Sequence, residues 1–228
     1  MICSFIIVKY PKGLGWAGLL SMFIFRFSLW FRSDLRFWKL MGCGKSRSFD
    51  FHPDFRRWAV LLVPASDKAP GAGSLLTGWW KLFRASIWQV QLTPVNSHGK
   101  WDGDTLFEAS RSGQNQAEGP VIVLTRATIR LKQAAAFWRA VPAVAEKLLQ
   151  AKGLIFSIGI GEVPWLKQAT LSIWENQADM KAFAYSQQEH ARVIQRTRQE
   201  KWYREEMFIR FRLTDPENDL SGLENILR

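Results

Sequence analysis

The stretch that most constrains this chain is GLIFSIGIGEVPWLKQATLSIWEN, residues 153–176. LIFSIGIG (154–161) has the branched and aromatic content of a strand. EVPWLK (162–167) cannot continue it cleanly, because Pro164 lacks a ladder donor and restrains Val163. QATLSIW (168–174) then alternates Ala169, Leu171 and Ile173 with Thr170, Ser172 and Trp174, a second strand. The pattern predicts a hairpin whose turn carries Glu162, Pro164 and Trp165. A helix-like segment and another strand on each flank make the carboxy-terminal half β-α-β-β-α-β.

The other segments extend this plan. ICSFIIVK (2–9) reads as a buried strand, closed by Pro11 and Gly13. The apolar run 13–31 is close to the about 20 residues of a membrane span. Arg26 lies inside it, Lys12 and Arg32 close outside, and three glycines weaken its start. A buried helix is the expectation; a helix lying on a membrane surface and a true span are the alternatives. Strands at 34–44 and 56–64 face each other across a polar loop, and a short helix at 75–85 leads to a strand at 86–94. The first half is thus also β-α-β-β-α-β. WWKLFRASIWQVQLTP (79–94) and WYREEMFIRFRLTDP (202–216) share an aromatic pair, basic residues, a strand and Leu-Thr before proline, each closing its half.

The sequence therefore predicts an α+β fold of two tandem ferredoxin-like β-α-β-β-α-β units, joined as an α/β barrel of the dimeric α/β-barrel type within one chain. A homodimer is the other way such halves pair. The expected divisions are 1–95, a connecting loop 96–118, a second half 119–216 and a loosely held tail 217–228. In the second half a strand at 119–129 precedes a helix at 130–150, kinked or divided at Pro142, with Leu131, Ala134, Ala135, Trp138 and Val141 on one face. A last helical region starts at Asn176 or Asp179 and runs past Phe183 and His190 to about Tyr203, before a strand at 207–216.

Composition narrows the function classes. Two cysteines in 228 residues argue against a disulfide framework and fit a cytoplasmic, reducing compartment. Lys9 and Lys12 follow the first apolar run, so no signal peptide is expected. The net charge of +11 admits an anionic cofactor, anionic lipid or a plain basic surface. With no zinc-finger spacing and no RNP-type strand pair, nucleic acid is not an expected partner. Sixteen Phe and twelve Trp point to a wall for a flat or elongated apolar ligand as well as a core.

The three histidines, His52, His98 and His190, form no short-spaced metal motif. No phosphate loop or nucleophile elbow occurs. His190 lies in MKAFAYSQQEHARVIQRTRQEKW, where helical spacing puts it near Phe183, Ile194, Thr197 and Lys201, with Arg192, Arg196 and Arg198 beside it. An inward imidazole with arginines for propionates suits heme; a histidine capping or decorating an exposed basic helix fits equally. Glu162, beside Trp165, is either a proton-handling or substrate-orienting carboxylate or an ordinary turn charge. Arg126 and Arg130, in TRATIR, are placed to pair with Glu162 or with a ligand carboxylate.

FWKLMGCG (37–44), GPVIVLTRATIR (119–130), FWRAVP (137–142), FSIGIGEVPWLKQATLSIW (156–174), MKAFAY (180–185) and EKWYREEMFIRFRL (200–213) resemble the spheroidene monooxygenase family, bacterial enzymes that oxidise acyclic carotenoids. The likeness covers nearly the whole chain in the same block order. It implies an oxygen-dependent monooxygenase placing a hydroxyl or keto group on an elongated apolar substrate, with heme iron as cofactor and molecular oxygen as co-substrate. It further implies His190 as axial iron ligand, Arg192, Phe183 and Trp165 around the cofactor, Glu162 and Arg126 as catalytic residues, and an electron donor such as a ferredoxin. Segment 13–31 would touch the inner membrane peripherally. The rival readings are a non-catalytic heme or apolar-ligand binding barrel and a cofactor-free small-molecule monooxygenase.

Overall fold

A computed structural model describes residues 1–45, 51–107, 119–186, 202–215 and 220–227. The fold is α+β, eight strands with helices interspersed. Two compact units are present: Met1–Cys43 with Pro53–Thr93 and Leu213–Arg228, and Gly44–His52 with Pro94–Arg212.

The first unit contains β1 (Cys3–Lys9), α1 (Gly15–Trp30), β2 (Leu35–Gly44), β3 (Pro53–Pro64), α2 (Ser74–Leu82) and the start of β4 (Ser86–Gly99). Its strand order is β4-β1-β3-β2, with β1 antiparallel to both neighbours. Alternation puts Ile6, Val8, Val60 and Leu62 on the face that packs with Phe25 and Leu29 of α1 and Leu76 and Trp80 of α2. Gly18 sets how closely α1 lies on β3, because a Cβ there would meet the Trp58 Nε1 at 2.2 Å. That ring is fixed by its own hydrogen bond to the Phe55 carbonyl, 2.8 Å.

The sequence correctly places a helix at 13–31 but misjudges its surroundings. Only Ala17, Gly18, Ser21, Phe25 and Leu29 of α1 are buried. Trp16, Leu19, Leu20, Phe23, Phe27 and Trp30 are exposed, because the sheet can cover one stripe of a helix and nothing among the described residues of the unit covers the other. No helix among the described residues is long and apolar enough to cross a membrane.

The second unit repeats the pattern with β5 (Val121–Ile129), α3 (Ala134–Leu149), β6 (Leu154–Val163), β7 (Lys167–Trp174), α4 (Gln177–Ser186) and β8 (Tyr203–Leu213). Its strand order, β8-β5-β7-β6, is the order of the first unit over again. Val121, Val123 and Trp174 on one face of the sheet pack with Leu148 of α3 and Met180 of α4. Asn176 caps α4, its Oδ1 accepting from the Asp179 N–H at 2.8 Å.

Several boundaries differ from the sequence reading. The β6–β7 turn is shorter than expected, so Glu162 lies on β6, at a register shift between Gly161 and Val163. β8 begins at Tyr203, placing WYREE largely on a strand instead of at a helix end. β4 runs to Gly99, into the stretch expected to be a linker. α3 is one helix through Pro142, whose missing N–H falls on the exposed side; Val141, Ala145 and Leu148 are its buried residues, and Leu131 is exposed. A short helix, α5 (Leu223–Leu227), buries Leu223 and Ile226 where a loose tail is expected.

Replacing Gly18 with alanine should lower stability by about 1–3 kcal/mol through overpacking, outweighing the roughly 0.5–1 kcal/mol that alanine gains in helix propensity. Urea unfolding of both proteins reads this directly; an unchanged or higher midpoint would show that the α1–β3 contact is not limiting.

Candidate functional site

The helix-free face of the second sheet is built in rungs. Ile122 pairs with Ile173 and Phe211, and Leu124 with Leu171 and Ile209; all are buried. The next position on that face of β5 is Arg126, between Ala169 and Met207. It is only 2 % exposed. The small Ala169 beside it leaves width for a guanidinium where the earlier rungs hold leucine and isoleucine.

Three carboxylates meet this cation. Its Nη1 donates to Glu205 of β8. Its Nη2 donates to Asp102 Oδ1 at 3.3 Å and lies 3.6 Å from Glu162 Oε1. Lys167 Nζ, at the start of β7, donates to the same Asp102 oxygen at 2.7 Å. Arg126 also lies over the Trp101 ring, 5.6 Å from its centroid, and the Trp101 Nε1 donates to Glu162 Oε1 at 2.9 Å. The Arg126 Nε is buried without a hydrogen-bond partner among the described residues.

Asp102 and Trp101 reach the cluster on a short strap after β4. Gly99 permits this: at φ +93° it passes so close to β8 that a Cβ would sit 2.1 Å from the Glu206 carbonyl oxygen. The Lys100 N–H donates to that same oxygen at 2.9 Å. Trp101 and Asp104 then form a reciprocal bridge, and the N–H groups of Asp102 and Gly103 donate to the two oxygens of Glu205 at 2.8 and 2.7 Å. Partial burial pushes the Glu205 carboxyl up, but these two N–H groups and Arg126 outweigh it and hold the group below the usual carboxylate range.

An aromatic group flanks the hairpin tip. Trp165, at φ +62° in the turn, is about half exposed and stacks on Phe51 with 5.6 Å between ring centroids. Trp138 of α3 meets Phe51 edge-on and donates its Nε1 to the Trp165 carbonyl at 3.0 Å.

Of the residues singled out from sequence, Arg126 and Glu162 come together. Trp165 sits three residues beyond Glu162 at the tip. Phe183 lies elsewhere, against Trp174 on the helix-covered side of the sheet. Arg130 donates from Nε to the Tyr203 carbonyl at 3.2 Å. His190 and Arg192 lie outside the described residues. The sequence reading missed Trp101, Asp102, Lys167 and Glu205. Glu205 was visible within WYREE, but Asp102 gave no signal, since its role depends on Gly99 turning the chain across β8.

No family model matches the chain. It is 35% identical over 191 residues to the spheroidene monooxygenase of Rhodobacter capsulatus, covering 82% of this chain and 79% of that protein. It is 34% identical over 182 residues to the spheroidene monooxygenase of Cereibacter sphaeroides, covering 78% of this chain but 56% of that protein. The fold is similar to that of aldoxime dehydratase, with a TM-score of 0.53 over 95% of this chain and 82% of that one at 11% identity. A second aldoxime dehydratase structure, in complex with butyraldoxime, gives a TM-score of 0.52 over 95% and 80% at 7% identity.

Because the folded Glu205 carboxyl is held below its ordinary value, its contribution to stability is complete above the usual glutamate range near about 4.3 and fades as pH falls through the lower folded value. Glu205→Gln should therefore be less stable at neutral pH and lose less on going to pH values below about 4. Urea unfolding at neutral and acid pH tests this; parallel losses in the two proteins would remove Glu205 from the acid response.

Proposed function

This chain belongs to the spheroidene monooxygenase family and is an oxidoreductase of that kind, and from that premise we propose that it inserts one oxygen atom into an elongated apolar substrate, an acyclic carotenoid fitting best. The observation that carries this reading is a convergence. Three blocks that bear the family resemblance, TRATIR, SIGIGEVPW and WYREE, are far apart in sequence, yet their Arg126, Glu162 and Glu205 form one cluster. The strand order in each unit supports the finer architecture, two tandem ferredoxin-like units of the kind that join as a dimeric α/β barrel.

Converting a C–H bond to a hydroxyl with molecular oxygen takes up two electrons and two protons and releases one water. The electrons require an external donor, and a ferredoxin would serve. For the protons, Glu162 is suited: it is mostly buried, one oxygen is fixed by the Trp101 indole, and Arg126 stands beside it. Arg126, held by Glu205 and Asp102, would present its remaining Nε–H to a polar oxygen at the reacting end of the substrate. The half-exposed Phe51–Trp165 stack at the hairpin tip offers a flat surface to a polyene.

Oxygen activation calls for a redox cofactor, and heme is the one this reading takes. The described residues do not themselves fit an iron site. His52 and His98 are exposed, no three His, Cys, Asp or Glu residues converge to hold a metal, and burial pushes the thiols of Cys3 and Cys43 up to about 12. The heme reading thus rests on His190 as the iron ligand with Arg192 two residues on, both outside the described residues.

Protein produced with ample iron and heme should show a Soret band that shifts or vanishes in His190→Ala. Glu162→Gln should keep that band and lower the thermal midpoint only slightly, since Glu205 and Asp102 stay on Arg126, while losing roughly 100-fold in turnover of an acyclic carotenoid, the usual scale of a lost proton-transfer group. If the glutamine variant instead loses stability and keeps its turnover, the cluster is a clamp. Ligand uptake without oxygen consumption would make the protein a binding module.

A further inference from the structure

The outer face of α1 has the composition of a buried surface. At 100° per residue, Trp16, Leu19, Leu20, Phe23, Phe27 and Trp30 fall within one sector about 100° wide. Each is between 43% and 75% exposed. Arg26 borders the sector and is the only charged residue of the helix. The patch extends toward α2, whose Phe83 end meets Trp16 edge-on at 5.5 Å and whose Leu82 is 72% exposed.

Two occupants compete for such a face, a second protein surface and a lipid surface. A helix of 16 residues is about 24 Å long. The area of its exposed face suits either occupant, so length, residue type and charge decide between them. Crossing the bilayer is ruled out by length, since about 24 Å falls short of the about 30 Å hydrocarbon core. Lying in the interface suits the residue types, because Trp and Phe partition to the headgroup–acyl boundary.

Charge selects among membranes. The first 33 residues contain Lys9, Lys12, Arg26 and Arg32 and no Asp or Glu, Arg32 being paired with Asp34. Lys12 before α1, Arg26 along it, and Lys81 and Arg84 at the end of α2 are all exposed. An apolar aromatic face with exposed cations at its ends and side, and no acid on its helix, is complementary to anionic headgroups.

We propose that α1 docks the protein on the surface of an anionic phospholipid bilayer, lying parallel to it with Phe23, Phe27, Trp16 and Trp30 inserted at the headgroup–acyl boundary. The inference is independent of the oxidation chemistry and of heme.

The test is flotation of the full-length protein with phosphatidylcholine vesicles and with vesicles containing phosphatidylglycerol, beside Phe23→Glu/Phe27→Glu. Both side chains are largely exposed, so the double variant should keep its circular dichroism and thermal midpoint. Wild type should float with the anionic vesicles, and the variant should bind at least about tenfold more weakly, since each phenylalanine lost from the boundary removes a favourable transfer and each carboxylate opposes anionic lipid. Wild-type protein that stays with the unbound fraction overturns the proposal, as does binding unaffected by the substitutions. A wild-type dimer that the substitutions convert to monomer, with no vesicle binding, would assign the face to self-association instead. A milder pair, Phe23→Ser/Phe27→Ser, keeps the test decisive should the glutamates impair folding.

Discussion

A single buried cation imposes most of the order in the second unit. Arg126 occupies a rung position that two residues earlier on β5 is filled by Leu124. A guanidinium cannot shed its charge at any ordinary pH, so burying it without partners would cost several kcal/mol. β6 and β8 contribute one carboxylate each, Glu162 and Glu205, and a third, Asp102, comes from outside the ladder and is shared with Lys167. The Trp101–Asp104 strap exists in its observed conformation because it delivers Asp102 and covers the cluster with an indole. In turn Glu205 receives two backbone N–H groups from that strap, so cation and strap hold each other.

That mutual dependence explains why the site was only partly legible in the sequence. Arg126 falls within the strand read at 119–129, where alternation fixes which face a residue occupies, whereas Glu162 was read in the hairpin turn and lies instead near the end of β6. Glu205 was visible within WYREE but not placed: with the last helix expected to about Tyr203 and the strand only from 207, the alternation that puts it beside Arg126 was missing. Asp102 lay in a stretch with no periodicity, where placement comes from tertiary hydrogen bonds and from a glycine at positive φ that permits a backbone approach no other residue could make. The repeated order of elements along the chain was legible because hydrophobic period encodes element type well.

The aromatic content divides in a way composition could not foretell. Of the twelve Trp residues, Trp58, Trp80, Trp88, Trp101, Trp174 and Trp202 are buried, and most of these fill the space between helices and sheet or close over the arginine cluster. Of the other six, Trp38, Trp79 and Trp138 are half-buried and three are exposed. Trp16 and Trp30 face outward on α1, and Trp165 stands at the hairpin tip.

The two surface groups differ in how they are held, and this bears on their roles. Trp165 is fixed on several sides, by Phe51 stacking, by the Trp138 indole on its carbonyl and by a left-handed backbone, which is the preorganisation that positioning a ligand requires. The α1 face has no such framework: its large side chains project from a regular helix whose opposite stripe alone is packed. An ordinary solvent-facing helix would carry Lys, Glu or Gln at those positions with no loss of core. Keeping phenylalanine, leucine and tryptophan there costs solubility and adds nothing to the packing of the unit, so the physical gain has to come from whatever covers the face. With the elongated apolar substrate proposed above, the medium that covers this face and the source of substrate would be the same phase.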